Sequence, residues 1–186
     1  MHNPSLQGSR ASFRQGWAAV FVLAAALTGC TPVLDWREWR PEGSGLQLLL
    51  PCKPVPQVRE VVLAGQPVRL ALHACSAGGQ TWGLAFADVG DPRRIASALQ
   101  ALVSGPADNL GAGPVQAVPT PGVPGATPNP GTQRVLLRGT RPDGRQVQAE
   151  VLVFTRGTVV YQATVLGQQL PADAVSTFFE SMRLGS

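Results

Sequence analysis

From Gly45 onward, apolar and polar positions alternate with a period of two through most of the chain. Leu46, Leu48 and Leu50 alternate with Gln47 and Leu49 until Pro51-Cys52-Lys53-Pro54 interrupts. Successive side chains of a strand point to opposite faces, so this run predicts a half-buried strand. Val58 to Leu63 and Val68 to Cys75 follow, separated by Ala64-Gly65-Gln66-Pro67, which reads as a hairpin. In the second of these, Val68, Leu70, Leu72 and Ala74 share one face and Arg69, Ala71, His73 and Cys75 the other. Gly78-Gly79 turns the chain into Thr81 to Val89, and the region predicts a four-strand antiparallel meander.

The period then changes. Asp91-Pro92 supplies an N-cap and a proline at the first helical position, and Ile95, Leu99, Leu102 and Val103 recur at helical spacing. An amphipathic helix over about 91–103 is expected, ending at Ser104-Gly105-Pro106. Residues 104–131 hold seven prolines and six glycines. Such a composition buries too little apolar area to offset the entropy of ordering, so a long mobile loop is expected. Pro121 and Pro124 form its one well-placed PxxP pair, but the glycine-rich neighbours point to plain looping. Strands resume over Gln133 to Arg138, Gln146 to Thr155 and Thr158 to Leu166, joined by Arg141-Pro142-Asp143-Gly144 and Arg156-Gly157. Over 171–183, Ala172, Val175, Phe178, Phe179 and Met182 make one apolar helical face, expected to lie on the sheet.

These elements predict an α+β domain over 45–186, with an antiparallel sheet of about six to seven strands in two meanders and two amphipathic helices. The order of a leucine strand ending in Leu50-Pro51, a meander, a capped helix, a long loop and three closing strands resembles the PsbP/Mog1-like α+β fold. The ending Phe178-Phe179-Glu180-Ser181-Met182-Arg183-Leu184 is similar to the aromatic-rich terminal helix of bacterial proteins of that shape. That resemblance implies binding and assembly roles and supplies no catalytic residue.

The first 29 residues follow different rules. Asn3 to Gln15 carries Arg10 and Arg14 and no acid, and Gly16 to Leu27 is a twelve-residue apolar run. A helix needs about 20 residues to span a bilayer, so the run fits a signal-peptide core rather than a span. Leu27-Thr28-Gly29-Cys30 then resembles the bacterial lipobox, in which the cysteine receives a diacylglycerol, becomes the mature N-terminus and takes a further acyl chain such as palmitate. The whole chain resembles a set of uncharacterised proteobacterial lipoproteins. The resemblance implies cleavage between Gly29 and Cys30 and a membrane-bound lipoprotein, since two or more chains make anchoring stable. Thr31, where an Asp would imply retention at the inner membrane, implies the outer membrane on its periplasmic face. Residues 30–44 then read as a lipidated tether. Within it, Trp36 and Trp39 have two readings of equal standing: membrane or partner contact at the headgroup level, or packing onto the domain.

Processing changes the charge picture. The chain has 15 basic and 11 acidic residues, and losing Arg10 and Arg14 leaves a balance of about +2. Arg134, Arg138, Arg141 and Arg145 crowd one hairpin without interleaved aromatics, so they predict a solvated strand border and no nucleic-acid partner. With Cys30 spent on lipid, Cys52 and Cys75 remain, and an oxidising periplasm predicts a disulfide between them.

Candidate chemistry is sparse. After cleavage His73 is the one remaining histidine, expected on a sheet surface, and Cys75 is consumed by the disulfide. Asp91 reads as a helix cap and Asp88 as strand-end polarity. No cofactor and no metal ligand set is expected, and the chain reads as a non-catalytic binding or accessory module with an envelope protein partner. The alternative is a carrier of a small apolar ligand, with a pocket lined by Phe154, Phe178 and Phe179; a weaker alternative is an enzyme with a scattered site.

Overall fold

A computed structural model describes residues 33–120, 122–141 and 143–185. Gly29, Cys30, the leader and Pro121 lie outside the described residues. Among the described residues, ten strands form two antiparallel sheets. The smaller has β1 (Arg37–Trp39), β2 (Leu46–Leu50) and β10 (Arg183–Leu184), with β2 in the middle. The larger has seven strands in the order β3-β4-β5-β9-β8-β7-β6. Its members are β3 (Val55–Leu63), β4 (Gln66–Ala77), β5 (Gln80–Asp88), β6 (Gln116–Val118), β7 (Gln133–Thr140), β8 (Gln146–Arg156) and β9 (Val159–Gly167). With α1 (Ile95–Asn109) and α2 (Ala172–Glu180) the architecture is α+β. No helix among the described residues is long and apolar enough to cross a membrane.

Two expectations about strands change. Leu46 to Leu50 does not join the meander: it pairs with β1 and β10. Its alternation predicted a strand correctly, but periodicity names no partner. The tether expected over 30–44 is also shorter, because Arg37–Trp39 is already paired with Leu48–Leu50. The hairpin turn at Ala64-Gly65 forms as expected, with both residues at positive φ (51° and 75°), the geometry that matches strand twist.

Helix α1 runs past its expected end, through Ser104, Gly105 and Pro106, to Asn109. Proline lacks an amide hydrogen, so Pro106 leaves the Leu102 carbonyl without its helical donor. The Gln162 side chain on β9 donates to that carbonyl instead, which replaces the bond that the proline removes. Ahead of α1, Asp91 caps a 3-10 turn over Pro92–Arg94, its carboxylate accepting from the Arg93 amide at 2.9 Å. The Arg94 guanidinium donates to the carbonyls of Val89 at 2.7 Å and Leu63 at 2.9 Å. At the end, the Leu110 carbonyl accepts from the Thr140 amide at 3.2 Å. The helix therefore crosses the sheet diagonally, from the β3–β4 turn to the end of β7.

Past the end of α1, the described part of the 104–131 segment is not the free loop that its composition predicted. Gln116–Val118 pairs with β7. The Thr127 amide donates to the Thr155 carbonyl and the Leu184 amide to the Pro124 carbonyl, both at 2.8 Å. Val123 and Ala126 pack on the core. Gly125, at φ 81°, lies so close to Leu184 that a Cβ would come within 2.5 Å of its carbonyl oxygen. Backbone pairing and a few small apolar contacts hold the segment.

Helix α2 ends at Glu180 rather than at Arg183. The Ser181 hydroxyl donates to the Phe178 carbonyl at 2.7 Å and accepts from the Leu49 amide at 2.9 Å. This stops the helix and turns Arg183–Leu184 onto β2. The two faces of the large sheet thus carry separate cores, one under α1 and the other under α2 with the small sheet, while most of edge strand β3 stays exposed.

Candidate functional site

Cys52 and Cys75 are joined, with Cα atoms 5.9 Å apart. Cys52 follows β2 and Cys75 lies on β4, so the bond ties the small sheet to the large one. The cysteine pair expected from the sequence is therefore present as a structural link.

The two tryptophans pack onto the domain. Trp36 meets the edge of Trp82 at a centroid distance of 5.5 Å, and Trp39 lies 6.1 Å from the His73 ring. His73 is not at a sheet surface: it is 8% exposed, between Trp39 and Phe86, whose ring is near-parallel at 6.0 Å. Burial pushes its pKa below the ordinary 6.5, because the imidazolium loses hydration there. Its Nδ1 and the Trp39 Nε1 have no hydrogen-bond partner.

The carboxylates act locally. Asp88 accepts from the Gly90 amide at 2.8 Å, and its pKa is lowered by a hydrogen bond from Thr158 and then by that amide. Asp91 is lowered by side-chain and backbone hydrogen bonds from Arg93. Arg134 departs from the solvated border expected of it, since its side chain is 13% exposed, bonds Glu150 at 2.7 Å and stacks 4.4 Å above the Phe179 ring. Arg138 bonds Gln116 at 2.8 Å and Arg145 pairs with Asp143, while Arg141 is exposed. No group of three or more His, Cys, Asp or Glu residues placed to hold a metal occurs among the described residues.

The pocket expected between Phe154, Phe178 and Phe179 is filled. Phe154 stacks on Tyr161 at 4.8 Å, Phe178 contacts Phe179 at 5.1 Å, and Trp82 closes against Phe178 at 5.5 Å. All three phenylalanines are at most 1% exposed. Rings of this size interdigitate to native density and leave no room for a guest.

A concave site lies on the opposite face. A groove of about 330 Å³ opens where diagonal α1 leaves the sheet uncovered. Its floor is Ala74, Gly83 and Ala149, the wall on the helix side is Pro106, Asn109 and Leu110, and Leu72 and Leu166 stand across from it. Gln162 and Thr164 contribute polar atoms from β9. None of the lining residues is charged, so the groove suits binding rather than acid–base chemistry. Sequence reasoning missed it, although small residues on one face of β4, β5 and β8 were its available signal. Comparison with protein-family models and with curated proteins gives no match.

Proposed function

We propose that the chain is a lipid-anchored envelope protein, held through Cys30 on the periplasmic face of the outer membrane. There it acts as a non-catalytic binding or accessory module for an envelope partner. The observation that carries this reading is the order basic segment, twelve-residue apolar run, Leu27-Thr28-Gly29-Cys30. The Cys52–Cys75 bond supports it, because disulfides persist in oxidising compartments. The α+β architecture, with helices on both faces of an antiparallel sheet, is compatible with the PsbP/Mog1-like shape and with the binding roles found on it.

The test is fractionation of cells producing the wild type or Cys30→Ser. Release of the variant from membranes, together with partners crosslinked to the anchored wild type, is the expected result. Unchanged membrane retention of an uncleaved variant would mean that the apolar run is a span. Recovery of the anchored protein strictly alone would overturn the partner reading.

A further inference from the structure

We infer that the groove between α1 and strands β4, β5 and β9 is a binding site for a neutral, mostly apolar small molecule carrying one hydrogen-bond donor. The inference rests on reading the domain as a binding module and assigns that module its site. The first observation is Gly83. It lies mid-strand and not in the left-handed region, and a Cβ there would meet nothing nearer than Ala74 Cβ and the His73 carbonyl, each at 3.8 Å. A glycine that neither a turn nor a clash requires weakens its strand; such positions mark a bulge, a bend, or close approach by a ligand or another backbone, and regular pairing of Gly83 on both sides leaves close approach. Cross-strand neighbours keep the floor low: Gly83 pairs with Ala74 on one side and Thr164 on the other.

Size and charge choose the occupant. The groove measures about 330 Å³, at the lower end of small-molecule sites and roughly twice the volume of an apolar cavity that accepts benzene. Two fused or linked rings, or a chain of similar bulk, fit. A protein segment of more than a few residues does not. The lining bears no charge, so an ion entering it would lose hydration without a counter-charge, and complementarity selects a neutral guest. Gln162 supplies an acceptor for that donor. One N–H of its amide is committed to the Leu102 carbonyl, and its oxygen, on the same face of β9 as Thr164, can accept from a guest hydroxyl.

The test uses the full chain in isolated membranes with 4-(hydroxymethyl)benzophenone, a neutral two-ring photoreactive probe bearing a hydroxyl. After irradiation, labelled peptides are mapped by mass spectrometry. The expected result is saturable labelling of peptides from β4, β5, β9 and the end of α1, reduced about tenfold by Gly83→Leu with an unchanged circular-dichroism melt. If Gly83→Leu fails to fold, Thr164→Leu fills the same groove and should reduce labelling likewise. Labelling that does not saturate, or that the folded variant leaves unchanged, overturns the inference. Labelling that falls as protein concentration rises overturns it in favour of a second copy. Labelling that appears only after a bound protein is stripped overturns it in favour of a protein occupant. These readouts are independent of the Cys30→Ser fractionation, so either result can fail alone.

Discussion

Breaking the Cys52–Cys75 bond perturbs one defined link between the two sheets. The bonded residues are separated by 23 positions in the sequence. Freeing a loop of that length raises the entropy of the unfolded chain enough to cost the fold about 3 kcal/mol on the chain-entropy model. Both cysteines are half-buried against the core that includes Leu50 and Trp82, so Cys→Ala at both sites adds only a small packing loss. For a domain of this length about 1 kcal/mol moves the midpoint by roughly 2–4 °C, which places the expected fall near 6–12 °C. The assay is thermal melting by circular dichroism of the wild type, with and without reductant, beside Cys52→Ala/Cys75→Ala. The reduced wild type and the double variant should melt together, and reductant should leave the variant unmoved. A double variant as stable as the oxidised wild type would refute the reasoning, because β2 and β4 would then be held without the link.

Other outcomes follow from single contacts. Gln162→Ala should destabilise by about 1–2 kcal/mol by orphaning the Leu102 carbonyl. That loss should shrink in a Pro106→Ala background, where the restored amide supplies the helical bond; additive denaturant midpoints would argue against the exchange of donors. Gly139→Ala would drive a Cβ into the Leu110 carbonyl oxygen, so urea unfolding should report a loss of about 2 kcal/mol or more. The folded pKa of His73 is depressed below 6.5 by burial, so below that pH the unfolded chain takes up a proton that the folded one does not. Stability should therefore fall as pH drops through 6.5 toward the folded pKa and level off below it. His73→Phe should flatten that limb of the midpoint-against-pH curve, while the loss below about pH 4 from Asp88, Asp91 and Asp143, whose pKa values are lowered, should persist.

Much of the fold was legible in the alternation of residues. The runs at 58–63, 68–75, 81–89, 133–138, 146–155 and 158–166 all lie in observed strands to within a few residues, and Asp91 caps where it was expected to. Pairing across the chain was not legible. Leu46 to Leu50 has the same alternation whether it joins β3 or β10, and only Ser181 and the turn of α2 bring β10 to it. Pro106 read as a stop because its rescuing donor, Gln162, is 56 positions away in sequence. The proline-rich 104–131 segment read as free because composition cannot register backbone bonds such as Thr127 to Thr155. The disulfide was legible because counting cysteines needs no geometry. The groove was hidden because Ala74, Gly83, Ala149 and Leu110 come together only through strand order and the diagonal of α1. His73 was misplaced for a related reason: its neighbour Trp39 arrives from a segment taken for a tether.

The account turns most directly on what occupies Cys30. Protein extracted from membranes should give an N-terminal peptide that begins at Cys30 and carries the mass of a diacylglyceryl group with a further acyl chain. A peptide that retains Gly29 ahead of an unmodified Cys30 would contradict the anchored reading.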